Sequence, residues 1–439
     1  MAPVARDNST IDPELYTRFN VKRGLRNADG SGVLVGLTQI GEVHGYIIDE
    51  NEKRAVDGRL RYRGIEIEEV VAGALAEKRP GFEETIYLLL FGELPNRNQL
   101  ADFTATLSAR RELPDGFTEN MILKAPSRDI MNKLARSVLV SYSYDDNPDD
   151  LEIGNVLSQC IEMIARFPTM AAYGYQAKRH YFNSESLYIH RPQPELSTAE
   201  NFLYMIRSDG QHTSLEAETL DLCFMLHAEH GGGNNSAFAL HVVSSSDTDT
   251  YSAIAAAVGS LKGPKHGGAN VRVVKMMEDL KASVKDCSNE RAVKEYLVKL
   301  IRREAFDRAG LIYGMGHAVY TVSDPRTSIL QKKAEELAVE KENRAEYELY
   351  VMVERLAHQA LAEVKGLETV ATNVDFYSGL VYRMLNIPTE LYTPIFAISR
   401  IPGWCAHRIE EIVSGGRIIR PAYKSVSTKK RYLSLDERQ

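Results

Sequence analysis

The chain has 439 residues and a formal net charge of −7 at pH 7, from 53 Lys and Arg against 60 Asp and Glu. That balance argues against a general nucleic-acid binder, which carries a basic excess, while leaving room for a local cationic pocket. With 44% hydrophobic and 26% charged residues, the composition is that of a globular enzyme-sized protein rather than a disordered one, and the length predicts two or three domains.

The first fifteen residues lack an apolar run and carry Asp7, Asp12 and Glu14, so neither a secretory signal nor a transit peptide is expected. Gly32 to Val43 and Gly45 to Ile48 are rich in Val, Ile, Leu and Thr and broken by glycines, which predicts a short hairpin or meander. Beyond Gly64 the pattern is helical. Phe82 to Phe91 carries an apolar face stopped by Gly92 and Pro95. Ile153 to Phe167 spaces its apolar residues at helical intervals before Pro168, where the helix is expected to end. Ser244 to Asp249 is a polar loop with N-cap chemistry for a helix opening near Tyr251. Helical spacing returns in Ala269 to Leu280, Glu290 to Glu304 and Pro325 to Glu363; the last is long enough to predict a break near Glu340 to Arg344. The polar tail from Lys424 to Gln439 is expected to wrap a surface or a partner.

No run approaches 18 apolar residues, so no membrane span is expected. Cys160, Cys223, Cys287 and Cys405 lie far apart and read as reduced structural thiols in a cytoplasmic chain.

Three histidines stand in glycine-rich or turn-like settings, which let backbone approach a ligand and leave an imidazole uncrowded. These are His230 before Gly231-Gly232-Gly233, His266 between Lys265 and Gly267-Gly268, and His317 after Gly314-Met315-Gly316. Each could equally be a hydrogen-bonded structural residue. His227 and His230 have zinc-ligand spacing, but there is no His-Glu-x-x-His motif and no Cys/His quartet, so no metal is expected. Asp375, set among Val374, Phe376 and Tyr377, reads either as a helix N-cap or as a carboxylate tuned to act as a base. Arg326, Arg400 and Arg420 are single arginines in apolar or proline-bounded segments, where burial demands an anionic partner.

Taken in order, these segments resemble the citrate synthase family from about residue 30 to 425. The resemblance rests on Leu-Leu-Leu-Phe-Gly-Glu-Leu-Pro at 88–95, Ile-Ala-Arg-Phe-Pro-Thr at 164–169, the three histidine motifs, Asp324-Pro325-Arg326, Asn-Val-Asp-Phe-Tyr-Ser-Gly at 373–379, Ser399-Arg400 and Arg420-Pro421. It implies a mainly α, two-domain fold with a small N-terminal β hairpin or meander. The large helical domain would comprise residues 1–270 and 378–439, with a small helical domain of 271–377 and the site between them. It implies an acyltransferase that condenses acetyl-CoA with oxaloacetate and hydrolyses the thioester, with acetyl-CoA as co-substrate and no resident cofactor. By resemblance His266 would hydrogen-bond the thioester carbonyl, Asp375 would remove the methyl proton and His317 would polarise the ketone. His230, Arg326 and Arg400 would hold the oxo-acid carboxylates, with Arg420 supplied by the other subunit of a homodimer. The backbone of Leu311, Ile312, Tyr313, Gly314, Met315 and Gly316 would line the CoA adenine site. Lys265, Val271 and Ala318 depart from residues common in the family and leave that set intact. Three other readings stay open at this point: a 2-methylcitrate synthase using propionyl-CoA, a non-catalytic carboxylate- or CoA-binding homologue, and a zinc hydrolase built on His227 and His230.

Overall fold

The computed structural model describes residues 1–27, 30–49 and 52–438. Helix accounts for 58% of the chain, and among the described residues the only sheet is a small antiparallel one of three strands. Strand β1 (Gly41–Asp49) pairs with β2 (Glu52–Tyr62), which pairs with β3 (Ile65–Glu66). The pairing lies later in the chain than its sequence suggests. Residues 33–40 form no strand: Val33 N donates to Leu25 O at 2.9 Å, and side chains take the donors of the last two residues, Gln39 N to Glu410 at 2.6 Å and Ile40 N to Thr38 Oγ1 at 3.0 Å. In place of those residues, the heavily charged 52–62 segment becomes the partner of β1, since pairing and half-burial decide strand formation more than propensity does.

The helix Ile153–Asn183 does not stop at Pro168 but runs through it. A proline inside a helix forfeits one hydrogen bond and costs about 3 kcal/mol or more. Every residue from 167 to 177 is buried, and the apolar surface so removed from water outweighs the loss. The other breaks fall where the sequence places them. Phe82–Phe91 ends at Gly92 with φ 81°, the helix Thr250–Leu261 is capped by Asp249, and Pro325–Glu340 is separated from Arg344–Lys365.

The core lies where the helix Tyr392–Val413 packs against Phe82–Phe91, Ile153–Asn183 and Ser214–His227. Trp404 and Arg400 are among the largest fully buried side chains there. A second packed group joins Ala269–Ser283, Pro325–Glu340, Arg344–Lys365 and Asp375–Met384. Among the described residues no helix is long and apolar enough to cross a membrane. After Val413 the chain is largely exposed to residue 438 and forms no α-helix or strand, with a single 3-10 turn at Leu435–Glu437.

Candidate active site

The turn after Ser214–His227 and the loop 317–324 bring His230 and His317 together, their rings 5.2 Å apart and edge-to-face. Tyr320 stacks on His317 at 4.6 Å and meets His230 edge-on at 5.6 Å. Two backbone donors, Val319 N and Tyr320 N, each reach His317 Nδ1 at 3.1 Å. Nδ1 is therefore an acceptor, and the neutral ring carries its proton on Nε2. Burial, reinforced by Arg326, holds the His317 pKa down at about 4, so the ring is a neutral donor at physiological pH. His230 is pushed well below its usual range by burial and then by Arg326, and its buried Nε2 has no hydrogen-bond partner among the described residues.

Asp324 caps the helix Pro325–Glu340 and clasps Arg326 bidentately, Nε to Oδ1 at 2.9 Å and Nη2 to Oδ2 at 2.7 Å. Burial opposes both charges, but each outweighs burial for the other, so Asp324 is lowered and Arg326 raised. Asp324 also accepts from Val374 N at 3.3 Å, which fixes the residue before Asp375 to the same pair. Among the described residues no carboxylate clasps Arg400 in this way. Its Nε donates to His227 O at 2.6 Å, its guanidinium lies 4.8 Å from the Phe396 ring centroid, and its buried Nη1 is unpartnered. Burial lowers its pKa to about 10, which leaves it cationic at neutral pH. A buried arginine with a free donor beside a histidine with a free Nε2 is costly without an anion to receive them.

His266 reaches Asn234 Oδ1 at 3.0 Å and Ser236 Oγ at 3.1 Å, both through Nε2. Asn234 Oδ1 already accepts from Ser236 N at 3.2 Å and lies 2.8 Å from Ser236 Oγ. Trp404 Nε1 donates to the same hydroxyl at 3.1 Å. The hydroxyl proton therefore has two positions. On Asn234 it leaves His266 protonated at Nε2 and donating; turned to Nε2 it leaves the His266 proton on Nδ1, with Nε2 and Asn234 Oδ1 then two acceptors facing each other at 3.0 Å. Burial, then Arg400, holds the His266 pKa at about 4. His227 joins the same wall, 5.0 Å from Phe396, which is 6.1 Å from His266.

Asp375 is the first residue of the helix Asp375–Met384 and its side chain makes no cap, so the N-cap alternative for it is wrong. Its carboxyl is half-buried and titrates at about 6, raised by burial and Asp324 against the pull of Arg326 and Arg400. Asn373 clamps it to the 311–316 loop: Asn373 Oδ1 accepts Asp375 N at 3.1 Å while Nδ2 donates to Gly316 O at 2.8 Å. Met315 bridges Thr372, Gly316 N donates to Ala371 O at 2.7 Å, and Asn373 N to Gly314 O at 2.9 Å. Gly314 is required twice over: its φ is +85°, and a Cβ there would stand 2.6 Å from the Phe376 ring. Ile312 is buried and Leu311 exposed, with Tyr313 N 3.3 Å from Met276 Sδ.

Behind His230 lies a buried ion pair, His407 Nε2 to Glu229 Oε1 at 3.0 Å. Glu229 Oε1 also accepts from Gly231 N, and Glu410 stands 3.7 Å from His407 Nδ1. Burial opposes the charge on His407, but Glu229 outweighs it and raises the pKa to about 9.

The fold thus gathers His230, His317, His266 and Asp375 in one linked group around Arg326 and Arg400, with Asn373 tying Asp375 to the 311–316 loop. Arg420 is exposed on the C-terminal segment and is not brought there by its own chain. Four contributors escaped the sequence reading. Asp324 and Asn373 lay inside motifs already singled out and could have been found as short polar side chains beside a charged one. Ser236 and Phe396 carried no local signal, since only the tertiary fold sets them beside His266. Among the described residues no group of three His, Cys, Asp or Glu is placed to hold a metal.

The site thus sets neutral imidazoles, a carboxyl titrating at about 6 and two buried arginines side by side. The chain matches the family described as citrate synthase, C-terminal domain, over residues 29–422. It belongs to the citrate synthase family. A protein of Haloferax volcanii named citrate synthase is 35% identical over 398 residues, 88% of this chain and 95% of its own. A 2-methylcitrate synthase of Shewanella oneidensis is 31% identical, covering 84% of this chain and 90% of its own. Among solved structures, the citrate synthase of Thermoplasma acidophilum in a ternary complex with carboxymethyl coenzyme A and oxaloacetate superposes with a TM-score of 0.76. It is 26% identical and covers 95% of this chain and 99% of that one.

Proposed function

We propose that this acyltransferase condenses acetyl-CoA with oxaloacetate and hydrolyses the resulting thioester, giving citrate and CoA. The observation that carries the reading is Asp375. A half-buried carboxylate titrating at about 6 beside neutral imidazoles suits a base that takes a proton from carbon, whereas a binding module has no need of one.

In this reading Asp375 removes a methyl proton as His266, with its proton on Nδ1, donates to the thioester oxygen and stabilises the enol. That role requires the Ser236 hydroxyl to turn toward His266 Nε2. The enol carbon attacks the ketone carbon of oxaloacetate while His317 Nε2–H donates to the ketone oxygen. Arg400, Arg326 and His230 receive the acceptor's carboxylates, as the unpartnered Arg400 Nη1 and His230 Nε2 support. Water then cleaves the citryl thioester. The 311–316 backbone is the proposed adenine site, adjoining the base through Asn373. We assign residues 1–270 with 378–439 to a large domain and 271–377 to a small one. We further propose a cytoplasmic homodimer in which Arg420 of each chain completes its partner's site; four free cysteines fit a reducing compartment.

The test is release of free thiol on mixing oxaloacetate with acetyl-CoA or propionyl-CoA. Release with neither overturns the reading. A kcat/KM higher for propionyl-CoA transfers it to 2-methylcitrate synthesis, which the Shewanella relative makes the second reading; a single methylene is worth only about 1–3 kcal/mol of discrimination.

A further inference from the structure

The loop that carries His317 does not stand alone. It lies on the N-terminal hairpin, more than 250 residues earlier in the chain. In the β1–β2 ladder His44 pairs with Arg59 but Tyr46 with Ala55. Gly45 therefore faces three residues, Val56, Asp57 and Gly58, and the ladder bulges there. Bulges re-aim neighbouring chain and gather beside active sites, and glycine in a strand marks a close approach of other backbone.

Both marks coincide at one place. A Cβ on Gly45 would stand 2.7 Å from Val319 O. A Cβ on Gly58 would stand 2.1 Å from Ser323 O and 2.7 Å from the Tyr320 ring. Neither glycine has a positive φ, so the missing side chain, and not an unusual backbone angle, is what the position needs. Polar contacts then fix the register. Gly58 N donates to Ser323 Oγ at 3.1 Å, that hydroxyl donates to Asp57 Oδ1 at 3.1 Å, and Tyr320 OH donates to Arg59 O at 3.4 Å. From Tyr320 the contact passes straight to His317, through their ring stack and through the two amides that hold Nδ1.

We infer that the Gly45–Gly58 bulge is the seat that positions His317 against the acceptor ketone, making Gly45, Gly58 and Ser323 positioning residues for the reaction. The inference rests on the condensation proposed above. It implies that the acceptor half of the site is aligned by the hairpin, while the acyl-CoA half, held by the 311–316 loop and Asn373, is not.

The test uses the full chain. Gly58→Ala inserts a methyl group into the seat, and Ser323→Ala removes the anchor without adding bulk, which covers the case in which the first variant does not fold. Displacing a reacting group by an ångström costs on the order of 100-fold, so Gly58→Ala is expected to lose about that in kcat/KM for oxaloacetate, and Ser323→Ala a smaller factor. The KM for acyl-CoA is expected to hold in both and the Tm in Ser323→Ala, whereas Gly58→Ala lowers the Tm because its methyl group meets backbone; amide exchange at Val319 and Tyr320 is expected to quicken. Folded variants with wild-type kinetics overturn the inference. So does a KM for acyl-CoA that rises in step with that for oxaloacetate, since a general loosening would do the same. If the wild-type chain releases no thiol, the condensation reading fails, and amide exchange alone then decides whether the seat holds the loop.

Discussion

At the residue scale, Asp375 carries opposite consequences for rate and stability. Its pKa of about 6 makes the base competent only above that value, so kcat/KM is expected to fall as pH drops through 6. Stability runs the other way. A carboxyl whose folded pKa is raised above its unfolded value of about 3.9 favours folding when protonated, and that contribution is lost as pH rises from about 4 through 6. Asp375→Asn is thus expected to lose about 10²–10⁴ in kcat and yet raise the Tm at pH 8, with the difference vanishing near pH 4; a thermal series at several pH values reads both signs. Ser236 is the second case. With Ser236→Ala only Asn234 Oδ1 faces His266 Nε2, which holds the proton on Nε2 and leaves Nδ1 unable to donate. Loss of one oxyanion donor costs about 2.7–4 kcal/mol. The variant is therefore expected to retain acyl-CoA binding with kcat down by about 10²–10³, and a kcat close to wild type would remove the donor role from His266.

At the element scale, the helix Tyr392–Val413 joins core to site. Its His407 is buried against Glu229, next in the chain to His230, and its Glu410 holds the 38–40 segment through Gln39 N. Removing one partner of a buried pair strands the other charge and costs about 3–5 kcal/mol; His407→Gln is expected to lose that much in denaturant unfolding. Because the folded pKa of His407 is raised to about 9, the pair's contribution is complete below the unfolded value of about 6.5 and disappears as pH rises through 9. Wild-type stability is therefore expected to decline over that window, and that of the variant to stay flat. The sequence disclosed elements unevenly. Helix ends written in local chemistry, Gly92 and the Asp249 cap, were legible. The 153–183 helix was not, because burial across Pro168 overrides a local rule. β2 was not, because its charged residues become a strand only through their partner. His317, His266 and Asp375 announced themselves by their glycine-rich or aromatic neighbours, whereas Ser236 and the hairpin seat exist only once distant segments meet.

At the scale of the whole molecule, the exposed segment after Val413 bears on assembly. If Arg420 serves the partner's site, chains carrying Arg420→Ala and chains carrying Asp375→Asn are each impaired in both sites of their own dimers. Mixed dimers formed by unfolding and refolding the two together contain one site with both residues intact. Random pairing in a C2 dimer makes half the dimers mixed, so about a quarter of wild-type activity is expected to return. Recovery of none, with dimers verified by light scattering, would confine each site to one chain.

The chain has a single tryptophan, and it is Trp404, whose indole N–H rests on the Ser236 hydroxyl that also faces His266. Its intrinsic fluorescence is thus an unlabelled optical probe attached to the proton arrangement of the site. A change in emission on adding acyl-CoA, absent in Ser236→Ala, would let the turn of one hydroxyl be timed in a stopped-flow trace before any product forms.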